Sequence, residues 1–253
     1  MFGASILSAP ENKGATQLWP GGEIRYADPE FDYTVVVSSP SDRPDLWERF
    51  ITGALGSYRR FGVESALALD DLRVGTTTSL FLAAVDESDE ILAGVRARGP
   101  FLAATDAYAD MEMASNAASQ AALRAMITER LPFGVLESKT GWVSDSARQY
   151  RGLTKIFGQG PAIAAALSGS RFTFGTAAKH VIGHYLSSGA VVADHIEPVE
   201  YPDSRFKTKA IYWDHGKLKE RADSDQYRRM GNAVDAVLHG TGPFAVNRRS
   251  ATG

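Results

Sequence analysis

Residues 137 to 154 read ESKTGWVSDSARQYRGLT, and the parsing of this stretch decides the fold. It sits in a segment, Gly134 to Val143, that is apolar at both ends and carries Glu137, Lys139 and Trp142, which predicts a central strand. A polar loop follows Val143, and Gln149-Tyr150-Arg151-Gly152-Leu153-Thr154 opens a helix. That helix is expected over Gly152 to Leu167, with Gly158, Gly160 and Pro161 breaking, kinking or delaying it. Backbone N–H groups at a helix start form an anion site, and a glycine lets the main chain come close to what is bound. Arg148 and Arg151 add positive charge toward a phosphate, although an ordinary strand-to-helix turn with a solvated arginine pair fits the same letters. Period-two alternation places Val135, Glu137, Lys139 and Gly141 on one face. A carboxylate within a strand must be paired, solvated or useful, so Glu137 is either a salt-bridge partner of Lys139 or an arginine, or a working group.

Outward from this stretch the pattern alternates. Thr34 to Val37 reads as a short strand within an otherwise irregular arm. Asp45 to about Phe61 reads as an amphipathic helix with Leu46, Trp47, Phe50, Ile51, Leu55 and Tyr58 on its apolar side. Leu80 to Val85 and Ile91 to Arg98 flank an acidic turn and form a hairpin. Residues 107–131 are rich in alanine and serine and are expected to be helical. Beyond the central strand, Arg171 to Thr176 reads as strand and Ala177 to Ser187 as helix. Val191 to Val199 and Lys207 to Trp213 read as two more strands, with a last helix at Asp225 to Leu238. Interleaved helices and hairpin-like ends point to an α/β (α+β) layer arrangement with a mixed, mostly antiparallel central sheet of about six to seven strands.

Composition narrows the function. The chain has 253 residues, 44% hydrophobic, with Lys+Arg 27 against Asp+Glu 30 and no cysteine. A formal net charge of -3 removes the basic field of nonspecific nucleic-acid binders. Lack of cysteine excludes disulfide frameworks, thiolate metal sites and cysteine nucleophiles. No apolar run is long enough to span a membrane, and the first residues lack the basic and apolar regions of a secretory leader, so a soluble, cytoplasmic protein is expected.

The 137–154 stretch resembles motif A of the GCN5-related N-acetyltransferase (GNAT) superfamily, a Gln/Arg-x-x-Gly-x-Gly/Ala loop around the pyrophosphate of coenzyme A. Gln149, Gly152 and Thr154 stand at its three positions, with threonine replacing the preferred glycine or alanine. His184-Tyr185-Leu186-Ser187-Ser188-Gly189 resembles the superfamily's late helix, in which a tyrosine four residues before a glycine protonates the leaving thiolate. An ordinary tyrosine pKa near 10 suits that donor role. Within the superfamily, Glu137, Val143, Arg151 and Gly152, together with Asp70-Asp71 and Arg96, are similar to the acyl-homoserine-lactone and N-acyl amino acid synthases. Thr140 stands where those enzymes have an arginine.

The resemblance covers Leu46 to Asp214. It implies a GNAT-like domain at 46–216, preceded by an arm with one strand (1–45) and followed by a helix and flexible tail (217–253). It implies an N-acyltransferase that uses acyl-CoA, or an acyl carrier protein thioester, as co-substrate, with no permanently bound cofactor. Glu137 would serve as base, Tyr185 as acid, and Val143, Arg148, Gln149, Arg151, Gly152 and Thr154 as the cofactor-binding set. Strands splayed into a V would hold the pantetheine arm. The alternative is a noncatalytic acyl-CoA sensor or interaction domain on the same scaffold. His180 and His184 lie four apart on an expected helix, but no third metal ligand is near them in sequence, so no metal is expected. The basic run Arg205, Lys207, Lys209, Lys217 and Lys219 is either a solvated edge or a landing surface for an acidic carrier protein.

Overall fold

The computed structural model describes residues 21–147 and 149–245; the first twenty residues, Arg148 and the tail with Arg248-Arg249 lie outside the described residues. The strands are β1 (Glu23–Ala27), β2 (Thr34–Ser38), β3 (Leu80–Val85), β4 (Ile91–Arg98), β5 (Val135–Val143), β6 (Phe172–Ala178), β7 (Val191–Val192), β8 (Val199–Glu200) and β9 (Lys207–Asp214). The α-helices are α1 (Pro44–Arg60), α2 (Leu69–Val74), α3 (Tyr108–Glu112), α4 (Ala117–Thr128), α5 (Ile156–Ser168), α6 (Ile182–Leu186), α7 (Leu218–Arg221) and α8 (Ser224–His239). The sheet runs β1-β2-β3-β4-β5-β6-β9-β7, with β8 also on β9. Every pairing is antiparallel except β5 with β6.

The nine strands among the described residues exceed the six to seven expected, for two local reasons. Residues 23–27 pair with β2 and bury Ile24 and Tyr26 on one side, so part of the expected arm belongs to the sheet. The expected strand at Val191 to Val199 is two short ones, because the chain leaves β9 after Val192 and rejoins it at Val199. The helix expected over 107–131 is interrupted: Asn116 accepts from the N–H groups of Ala118 and Ser119 at 3.0 and 3.2 Å and starts α4 afresh. Likewise β6 extends to Ala178 and leaves only Ile182–Leu186 helical.

Two layers of helix cover the sheet. On one face α1 sets Trp47 and Phe50 against Phe81 and Trp142, and α4 sets Leu123 and Met126 near Val135 and Phe174. Gly53 is required there, since a Cβ would come within 2.1 Å of the Trp142 ring. On the other face α5 lies between the sheet and α8 and is buried almost all round. Of the expected break, kink or delay, α5 shows a late start, at Ile156 rather than Gly152, and it runs unbroken through Pro161. Its glycines admit close neighbours instead: a Cβ at Gly160 would meet Val95 at 2.7 Å. The C-terminal helix is part of this core. Arg229 of α8, 4% exposed, forms ion pairs with Asp28 and Glu30 between β1 and β2, and with Asp225 at 2.9 Å.

Just past β9, His215 is buried with Nε2 2.9 Å from Thr173 Oγ1, and burial pushes its pKa down to about 4. In the unfolded chain a histidine titrates near 6.5, so between these values protons bind the unfolded form preferentially. Stability is therefore complete above about pH 6.5 and is expected to fall toward pH 4 by up to about 3 kcal/mol. Urea unfolding across this range measures the fall, and a His215→Asn variant should flatten that part of the curve.

Candidate active site

Strands β5 and β6 pair in parallel over three positions only, Val135 with Phe172, Leu136 with Thr173 and Glu137 with Phe174. Beyond them both strands continue unpaired with each other, so the sheet opens in a V. Thr176, Ala177 and Ala178 line one arm, and Ser138 to Val143 line the other. The opening is a cavity of about 370 Å³.

A bulge shapes its β5 wall. Arg96 lies opposite Lys139, whereas Gly94, two residues back, lies opposite Trp142, three residues on. The extra residue is accommodated at Thr140, whose φ of +54 is a left-handed value that few non-glycine residues adopt. Its hydroxyl accepts from Arg96 Nε at 3.1 Å, and Arg96 is itself 1% exposed and held by Thr78 at 2.8 Å and Asp71 at 3.6 Å. Strain of this kind persists only where the surroundings over-determine it, and here a buried guanidinium does so. The bulge also breaks the expected alternation. Glu137, Lys139 and Trp142 face α1 and α3, and Gly141 turns to the α5 side, where a Cβ on it would lie 3.4 Å from the Tyr185 hydroxyl.

The expected site residues therefore separate. Val143, Thr154 and Tyr185 line the cavity together. Tyr185 packs against Phe157 and Trp213, and burial pushes its phenol pKa up to about 12. Gln149 borders a different recess, with Arg49 and Ser144. Arg151 is exposed, and Arg148 lies outside the described residues. Gly152 has φ +72, and the Phe31 ring lies 2.3 Å from where its Cβ would stand, so the missing side chain makes room for Phe31. Tyr33 donates to the Gly152 carbonyl at 3.0 Å, and Arg229 lies over the Phe31 ring at 4.9 Å. The β1–β2 turn and α8 thus brace the loop after β5.

Glu137 is not placed as a base would be. It is fully buried, outside the cavity wall. Its carboxylate accepts from Arg98 Nη1 at 3.0 Å, from the Tyr108 N–H at 2.9 Å and from the Ala109 N–H at 2.8 Å. These donors make it an anchor for the start of α3.

The carboxylate that does line the cavity is Glu112, at the end of α3, which sequence reading did not single out. Its side chain is 3% exposed, with Oε1 2.5 Å from Lys139 Nζ and Oε2 accepting from Thr176 Oγ1 at 2.5 Å. The Lys139 ammonium also stands 4.8 Å from the Tyr108 ring centre. Tyr58 and Tyr201 complete this side of the cavity, and burial, with the charge of Glu112 adding to it, raises both phenol pKa values. The signal for Glu112 was weak, because its partners lie 27 and 64 residues away.

Among the described residues no group of three or more His, Asp or Glu side chains could hold a metal. No helix among them is long and apolar enough to cross a membrane. In the basic run, Arg205 pairs with Asp203 at 2.8 Å, Lys207 with Glu200 at 2.6 Å and Lys209 with Asp194 at 3.9 Å, which offsets much of its charge.

No protein-family profile matches the sequence. Over 196 residues the chain is 39% identical to uncharacterized protein Rv1356c of Mycobacterium tuberculosis (strain ATCC 25618 / H37Rv), covering 78% of this chain and 74% of that protein. Uncharacterized protein Mb1391c of Mycobacterium bovis matches to the same extent. Among solved structures, FeeM, an N-acyl amino acid synthase from uncultured soil microbes, superposes with a TM-score of 0.55 at 9% identity, over 78% of this chain and 98% of FeeM. The mostly antiparallel central sheet flanked by helices is thus that of the GNAT acyl-CoA N-acyltransferase fold, and the chain belongs to the family of the mycobacterial protein Rv1356c.

Proposed function

We propose that this chain is an N-acyltransferase that moves an acyl group from a pantetheine thioester to an amine by direct attack in a ternary complex. The observation that carries this reading is the cavity between β5 and β6, with the Tyr185 hydroxyl beside Gly141 at the bulge. The likeness to FeeM, an N-acyl amino acid synthase, agrees with it. Acyl-CoA is the proposed donor; an acyl carrier protein would present the same pantetheine arm.

The roles follow from position. The loop from Gln149 to Thr154, with the exposed Arg151 and, from its place in the sequence alone, Arg148, takes the diphosphate at the approach to α5. Pantetheine lies along Val143 and Thr154 and brings the thioester to the bulge. Main-chain groups at Thr140 and Gly141 are skipped by the β4 register and unpaired on the β6 side, which suits them to the thioester carbonyl as negative charge develops on its oxygen. Tyr185 keeps its proton at neutral pH and donates it to the departing thiolate. The acceptor amine approaches from the opposite face, where Glu112 can receive its proton. Holding both reactants in one cavity contributes as much as either side chain.

Thermal-shift titration with acetyl-, octanoyl- and palmitoyl-CoA, followed by mass spectrometry of products from pooled amines, tests the reading. Stabilisation by at least one donor and an amide product are expected. No stabilisation by any donor would end the proposal.

A further inference from the structure

The cavity already holds an amine. Lys139 projects from the bulged wall of β5 on the face opposite Tyr185, the side from which an acceptor must approach if the thiol is to leave past Tyr185. Its side chain is only 10% exposed, and its Nζ rests on Glu112 at 2.5 Å with Thr176 Oγ1 at 3.4 Å. Only Thr140 separates it from Gly141, where the thioester is placed, a span that a lysine's flexible four-carbon stem can bridge. Nucleophile, proton acceptor and thiolate donor therefore share one chamber. A salt bridge serving the fold alone has no need of that chamber: two charges withdrawn from water seldom stabilise more than a packed apolar pair would.

Resting on the acyltransferase reading, we infer that Lys139 is an internal acyl acceptor, which the protein acylates on itself when a donor is bound and no amine substrate is present. Lys139 gives one proton to Glu112 and attacks the thioester carbonyl. The new C–N bond forms and the C–S bond breaks as the tetrahedral adduct collapses. The second nitrogen proton is lost, the thiolate takes the Tyr185 proton, and Tyr185 and Glu112 return to their starting states with one net proton released to solvent. The products are an amide on Lys139 and free thiol. Acylation removes the charge that faces Glu112 and places the chain on the acceptor side, so the modified protein would be closed to amine substrates.

The test uses the full chain with acetyl-CoA or octanoyl-CoA and no added amine, read by intact mass and by peptide mapping. One acyl increment is expected, on the peptide that carries Lys139. Lys139→Arg, which preserves a cation opposite Glu112, should show no increment at that peptide. Glu112→Gln should slow the modification by roughly tenfold or more. Thermal shift on the same samples separates the two levels of the argument. Donor binding without an increment on Lys139 overturns this inference and leaves the acyltransferase reading standing. Failure of any donor to bind overturns both. Acylation scattered over surface lysines, or equal in heat-unfolded protein, marks simple chemical reaction and overturns the inference as well.

Discussion

A Glu137→Gln variant is expected to lose roughly 3–5 kcal/mol of folding stability, the range for breaking a buried ion pair by removing one partner. Glu137 is wholly enclosed, and Arg98 beside it is 7% exposed. Glutamine keeps the volume but leaves the guanidinium charge uncompensated. Its amide nitrogen would also bring donors to a place where the Tyr108 and Ala109 N–H groups already donate. For a domain whose total stability is about 5–15 kcal/mol, a large part of the fold's margin would go. Equilibrium unfolding in urea measures the loss directly. The alternative assignment, Glu137 as a catalytic base, predicts normal stability with depressed turnover, so a variant that unfolds like wild type but fails to turn over would reverse our placement of this residue.

Tyr185→Phe is expected to behave in the opposite way. Phenylalanine preserves the ring contacts with Phe157 and Trp213, so folding and acyl-CoA affinity should stay close to wild type. Turnover should fall by about 10²-fold or more, the usual contribution of a positioned acid. Because burial holds the phenol pKa near 12, wild-type turnover should show no loss from Tyr185 ionisation up to about pH 10. Unchanged turnover in the phenylalanine variant would remove Tyr185 from the mechanism and leave the thiolate to be protonated by water.

The two residues differ in how legible they were. Tyr185 sits in a local motif, and its position depends on one short helix and the glycine that ends it, both visible in a few consecutive letters. Glu137 was visible as a carboxylate in a strand, but its partners come from β4 and from a helix start 28 and 29 residues upstream. Whether such a group is paired or working depends on what surrounds it, and that is a tertiary fact. The same limit applies to Gly152. Its sequence context suggested close backbone approach to a diphosphate, whereas Phe31, 121 residues away, packs where a side chain would stand, a contact that the local letters could not show.

What the chain's letters determined alone was the order of most elements: the hairpin of β3 and β4, the strand–loop–helix unit of β5 and α5, and α1 with its apolar side. Periodicity is local, and burial of one face enforces it wherever the strand or helix lies. β1 was not read: Ile24 and Tyr26 alternate, but the strand is short and its loop-like surroundings left it within the expected arm. Only the folded chain decided where β5 and β6 part, which way the bulge turns Lys139 and Gly141, and which carboxylate meets the cavity. These features depend on pairings between distant segments, where one extra residue in a strand reverses the facing of every side chain beyond it.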